Sequence, residues 1–227
     1  MNADRRRGAY EAGRASALAG VPESTLYLWA RTGLIVPSIS HEKVKVWSWA
    51  DLVAARAVYW LRHPPAGGVR RPTTMHQVRQ LLRRLDELSM HLGGSIADET
   101  VRLSADGSGT PHVDLSGRLL EGRHRYTQLV GPALVVDLLA PFSAEKGATG
   151  PDLRRPRPHL EIIPGRLSGE PHIRGTRIET RVIYALRQRG YDPSQIATLY
   201  PAASPAGIQD AIALEALLAN NAKKLAA

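Results

Sequence analysis

Eight histidines are the side chains with the widest chemical reach in this 227-residue sequence, but their spacing suits neither a metal ion nor a catalytic dyad. His41, His63, His76, His91, His112, His124, His159 and His172 are scattered, with no helix-spaced pair and no compact carboxylate cluster beside them. His112-Val113-Asp114 places two polar groups on one face of a strand, without a third group to orient them. Cysteine is absent, which removes thiol nucleophiles, disulfides and zinc fingers. There is no glycine-rich phosphate loop with its lysine and no nucleophile elbow. The reading is a protein with no catalytic residues, no metal and no cofactor.

The cations say more. Lysine and arginine number 30 against 21 acidic residues, a net charge of +9. Residues 1–64 carry +4, 65–157 carry +3 and 158–227 carry +2, and all four tryptophans (Trp29, Trp47, Trp49, Trp60) lie in the first segment. Within it, a 3.6-residue period puts Leu26 and Trp29 on one face of a helix and Glu23, Ser24, Tyr27 and Arg31 on the other. His41, Lys43 and Lys45 make a second basic cluster, and Arg5, Arg6, Arg7 and Arg14 add charge as an arm along a DNA backbone would.

These residues need elements to hold them. An alanine-rich helix over 10–19 is expected to end at Gly20, and a second, over 22–31, to begin at Pro22 and stop at Gly33. Two short helices across a Gly-Val turn make a helix-turn-helix. Residues 34–40 and 44–47 predict a hairpin wing with a basic tip at Ser40-His41-Glu42-Lys43, and Ser48 with Asp51 predicts the cap of a covering helix over 51–62. The expected fold is mostly α with small β elements: a winged helix-turn-helix (1–63), a small α+β middle unit (73–142) and a C-terminal three-helix domain with a short β segment (159–227). Pro64-Pro65-Ala66-Gly67-Gly68 and the proline-rich stretch 143–158 read as the connectors between them.

In the middle unit, Met75, Val78, Leu81, Leu82, Leu85, Leu88 and Leu92 predict an amphipathic helix over 73–92, with Thr73 or Thr74 as its cap and Arg79, Arg83 and Arg84 on a solvated face. Strands are expected at 100–103, 112–115 and 134–138. The last unit opens with a strand at 160–163 and a glycine-punctuated run, Gly169 to Ile178. Helices follow over 182–189, after the Asp192-Pro193-Ser194-Gln195 capping box, and from Ser204-Pro205. No stretch approaches the roughly 20 apolar residues of a membrane helix, and no apolar core follows Arg5–Arg7 as a signal peptide requires. A cytoplasmic protein is expected, with no membrane partner.

The order Ala19-Gly20-Val21, Ser24-Thr25-Leu26, Trp29, Arg31, Gly33-Leu34, Pro37, Val46-Trp47-Ser48 and Asp51-Leu52 resembles MerR-type DNA-binding domains over about a quarter of the chain. That resemblance implies that helix 22–31 enters the major groove with Ser24, Thr25, Tyr27 and Arg31 reaching DNA. The wing residues His41, Lys43 and Lys45 would then contact phosphates. One departure is that Ser38-Ile39 stand where an arginine often follows the proline at the start of the wing. The run Gly169-Glu170-Pro171-His172-Ile173-Arg174-Gly175-Thr176-Arg177-Ile178, with Tyr200-Pro201, resembles a small, long-uncharacterised domain often found in VapB-like antitoxins.

The whole order is similar to VapB-like antitoxins in which a MerR-like domain comes first. This implies a homodimer that binds double-stranded operator DNA, represses its own operon and neutralises a PIN-domain ribonuclease toxin. Such nucleases hold Mg²⁺ with clustered carboxylates, which makes Arg154, Arg155 and Arg157, or Lys223 and Lys224, the candidate partner-binding residues. The third C-terminal helix has no cation before Lys223, so that domain is assigned to dimerisation or partner binding rather than to DNA. Arg174 and Arg177 are expected to tie the extended run to the helices. The alternatives are a MerR-like regulator sensing a small molecule through the middle segment, and a DNA-bending recombination accessory protein.

Overall fold

The computed structural model describes residues 8–63, 71–92, 101–105, 108–115, 118–121, 134–143 and 147–226. The chain is mostly α-helical with small β elements. Its N-terminal unit comprises β1 (Tyr10–Glu11), α1 (Ala12–Ala19), α2 (Glu23–Arg31), β2 (Val46–Trp47) and α3 (Trp49–Arg62). Ala15, Ala17, Leu18 and Ala19 bury most of α1, small side chains that let neighbouring helices approach closely. Gly20 ends α1 in the left-handed conformation, its amide donating to the Ser16 carbonyl, and the Ser16 hydroxyl stitches the turn by donating to the Val21 carbonyl at 2.7 Å. Leu26 and Trp29 turn α2 into the core. α3 starts on the expected capping box, with Ser48 Oγ accepting from the Asp51 amide and Asp51 Oδ2 from the Ser48 amide.

The wing differs from the expected two-stranded hairpin. Residues 34–40 contribute only a bridge between Ser40 and Val46, and β2 pairs instead with β1, Tyr10 opposite Trp47. The cause is a shortage of donors. The Leu34 and Ile35 amides both donate to the Trp29 carbonyl at the end of α2, Pro37 has none, and the Ser38 amide donates to Asp51.

α4 (Met75–Leu92) begins where Thr74 and Gln77 exchange hydrogen bonds, and it turns Val78 and Leu81 inward. The strands β3 (Val101–Ala105), β4 (Pro111–Leu115), β5 (Arg118–Glu121) and β6 (Leu134–Val136) form an antiparallel sheet in the order β5-β4-β3-β6. β5 is a strand beyond the three expected.

The proline-rich stretch after residue 143 is not a simple connector. β7 (Phe142–Ser143) pairs with β8 (Thr149–Gly150), and Ala148, Pro151 and Leu153 are buried. Arg56 of α3 holds this stretch. Its buried guanidinium donates to the carbonyls of Leu18, Leu138, Ala140 and Pro151, gathering three distant parts of the chain. Burial lowers its pKa to about 9 against the opposing pull of Asp152 and Asp137, so it remains charged at neutral pH.

β9 (Leu160–Glu161) pairs antiparallel with β10 (His172–Ile173), and α5 (Thr180–Gln188), α6 (Pro193–Leu199) and α7 (Pro205–Ala226) follow. Asp192 and Gln195 form the expected box at α6. A Cβ on Gly207 would lie 2.8 Å from Ile173 Cγ2, so this glycine lets α7 sit close against β10. α7 packs on α5 and α6 and, further along, against α1 and α2. Buried apolar side chains from the N-terminal, middle and C-terminal segments join in one core.

Candidate nucleic-acid interface

The outward face of α2 carries Ser24, Tyr27, Leu28 and Arg31, with Thr25 half-buried beside them. The Tyr27 ring stands edge-on to Trp47 with centroids 5.8 Å apart and remains 42% exposed, so one aromatic contact sets its direction while its surface stays open. Arg31 occupies the last turn of α2, where a cation complements the helix dipole.

The wing tip presents His41, Glu42, Lys43 and Val44. Lys45 does not join them as expected. Its ammonium folds over its own loop and donates to the His41 and Glu42 carbonyls at 2.9 and 3.2 Å. Lys43 is exposed and has no protein partner among the described residues, which leaves it as the outward cation of the tip.

At the wing base, Ser38 has a definite role. Its amide and hydroxyl both donate to Asp51 Oδ2 at 2.8 Å, and its hydroxyl lies 2.7 Å from Ser48 Oγ. One carboxylate oxygen thus caps α3 and anchors the wing. Burial raises the Asp51 pKa, and the hydrogen bonds from Ser38 and Ser48 oppose that shift.

Arg14 requires a correction: it faces inward, away from any nucleic acid. Its Nε donates to Glu170 Oε2 at 2.9 Å, and Nη1 and Nη2 donate to the two oxygens of Glu215 at 2.8 Å. The carboxylates are 5% and 8% exposed. Burial pulls the Arg14 pKa down, but the two carboxylates more than reverse this and hold it above the ordinary arginine range. Thr180 Oγ1 donates to the same Glu215. Spacing could not reveal this cluster, since its members lie 156 and 201 residues from Arg14. Arg5, Arg6 and Arg7 lie outside the described residues.

The other singled-out cations divide. Arg154 makes a two-oxygen pair with Asp137, whereas Arg155 is exposed and Arg157 half-buried. Lys224 donates to the Gly147 carbonyl at 2.8 Å, and Lys223 is exposed on a helix that continues to Ala226. Among the described residues no three His, Asp or Glu side chains gather as a metal site requires, and no helix is long and apolar enough to cross a membrane.

Compared with known proteins, residues 160–214 match a family model described as "Protein of unknown function (DUF433)". No curated protein and no solved structure matches the chain. The matched residues run from β9 into α7 and include Glu170, but stop one residue short of Glu215.

Proposed function

We propose that this chain is a non-catalytic, cytoplasmic, DNA-binding antitoxin that represses its own operon and neutralises a PIN-domain ribonuclease toxin. The observation that carries the DNA-binding part is the pairing of two outward surfaces on one unit. The Ser24–Tyr27–Arg31 face of α2 and the Lys43 wing tip are braced by Trp47 and by the Ser38–Ser48–Asp51 network. Side chains on a rigid helix read base edges, and a cation on a loop beside it sets register through phosphate. Support for the antitoxin part comes from the resemblance of Gly169–Ile178 to VapB-like antitoxins, and the matched family model covers that run. The MerR-like character of the first unit likewise rests on its sequence order. As a homodimer, the protein would read half-sites roughly 34–36 Å apart or a multiple of that distance.

The test is fluorescence anisotropy of the protein on its own upstream DNA and on scrambled DNA at two salt concentrations. The wild type is expected to prefer the upstream duplex. The Arg31→Ala, Lys43→Ala double variant is expected to lose that preference and to flatten the log–log salt dependence by about 0.9 per lost phosphate contact. Binding untouched by the double change would refute the α2 assignment. If the neighbouring gene encodes a PIN-domain nuclease, its purified product, assayed on RNA with and without the protein, tests neutralisation separately; a neighbour that encodes no nuclease would count against the antitoxin reading.

A further inference from the structure

The Gly169–Ile178 run gives nearly all its residues an internal role. Glu170 pairs with Arg14, and the Pro171 carbonyl accepts from the Thr180 amide. His172 and Ile173 are buried. The Ile173 amide donates to the Ile178 carbonyl and closes a four-residue loop, which Gly175 turns with φ +74° while Thr176 Oγ1 donates to the Ile173 carbonyl. The side chains left on the outside of that loop are Arg174 and Arg177, both exposed. Arg177 ties nothing together among the described residues, contrary to its expected role, and Arg174 reaches only the Pro158 carbonyl, at 3.2 Å.

The antiparallel pairing of β9 with β10 brings a second basic loop to the same end. The Ile162 amide donates to the Arg154 carbonyl and the Leu160 amide to that of Arg157, folding 155–159 into a compact projection. The Arg174 amide joins it by donating to the His159 carbonyl at 2.9 Å. The loop that carries Arg155 and Arg157 therefore adjoins the loop that carries Arg174 and Arg177. The nearby acids bind the backbone and histidines of these loops rather than their guanidinium groups: Asp152 receives the Arg154 and Arg155 amides, Asp210 holds His159, and Glu161 faces His172, Arg166 and the Gly175 amide. Arg157 Nε is shut off from solvent with no acceptor among the described residues, a donor the folded chain leaves unmatched.

We propose that the adjoining loops 155–159 and 174–177 form the docking surface for an acidic protein partner, with arginine forks receiving clustered carboxylates. This rests on the partner-binding reading above and extends it to Arg174 and Arg177. A protein partner fits better than a nucleic acid. The first turns of α7, which lie beside these loops, carry no cation and offer Asp210 to His159, so no basic helix stands there to enter a groove.

The experiment uses the full chain and a labelled short peptide of alternating Asp and Glu, read by anisotropy. The Arg174→Gln, Arg177→Gln variant is compared with Arg79→Gln, Arg83→Gln, which removes the same charge from exposed positions on α4. The loop variant is expected to weaken peptide binding about tenfold, and the α4 variant by less than about twofold. Equal losses in the two variants, no loss in the loop variant, or tighter capture of a duplex DNA through the loop arginines would each overturn the proposal. Upstream-DNA affinity is read in parallel and should not change in the loop variant, which keeps the α2 reading separate. A loop variant that still neutralises the nuclease at wild-type dose would sink this surface while leaving partner binding standing.

Discussion

The Tyr10 hydroxyl donates to the Gly169 carbonyl at 2.7 Å, and the glycine's lack of a side chain makes room for the phenol. A Cβ at Gly169 would sit 2.1 Å from Tyr10 Oη, and the backbone there has φ +78°. Gly169→Ala therefore combines left-handed strain with overpacking and should destabilise by roughly 2–4 kcal/mol in urea unfolding. A loss below about 0.5 kcal/mol would show that the first unit does not dock here.

Arg14 gives a sharper mutational signature. Arg14→Met leaves Glu170 and Glu215 buried without their cation, and the loss should reach about 3–5 kcal/mol. Replacing all three with apolar or amide residues of similar volume should recover most of it. A triple variant no more stable than Arg14→Met, by thermal melting, would refute the account of an uncompensated buried charge.

Alkaline pH tests Tyr10. Burial first, and the Glu170 charge second, push its pKa above the ordinary value of 10.0, with Arg14 opposing. The folded state then keeps a proton that the unfolded chain releases, so the tyrosine's stabilising contribution is complete below pH 10 and is lost as pH rises further. The stability advantage of wild type over Tyr10→Phe should narrow above pH 10 by up to about 1.4 kcal/mol per pH unit. A gap that stays constant from pH 9 to 11 would contradict the buried, neutral phenol.

Asp51 links stability to DNA binding. Asp51→Ala removes the carboxylate half of the α3 capping box and the wing anchor together, for a stability loss of about 1–2 kcal/mol. Upstream-DNA affinity should fall further than the same stability loss produces when introduced in α6 by Asp192→Ala. Equal affinity in the two variants would detach the wing from recognition.

What was legible in the sequence is local. Ser48 with Asp51, Asp192 with Gln195, Gly20 and Gly33 announce themselves because a cap or turn is decided by residues a few positions apart. The outward face of α2 followed from its period. The pairing of β2 with β1 was hidden because it depends on where the Leu34, Ile35 and Ser38 amides are used, which only the folded chain decides. Arg14 and Arg56 carry no local mark of burial, because their partners arrive from across the chain; the spacing placed Arg14 in a basic arm and did not single out Arg56. Arg155 and Arg174 were visible separately, and only the β9–β10 pairing brings the loops that carry them to one end.

α7 serves two different neighbours in succession. Ile208, Ala211 and Leu214 fill its own module, and Glu215 then pairs with Arg14 while the Asn221 side chain exchanges hydrogen bonds with the Thr149 backbone. The helix is thus a keyed shaft whose angular phase is fixed at both ends. Inserting one residue after Ala216 would turn everything beyond it by about 100° and carry Leu218 and Asn221 off their seats. A graft of this module onto another reading head must therefore preserve helical phase as well as length.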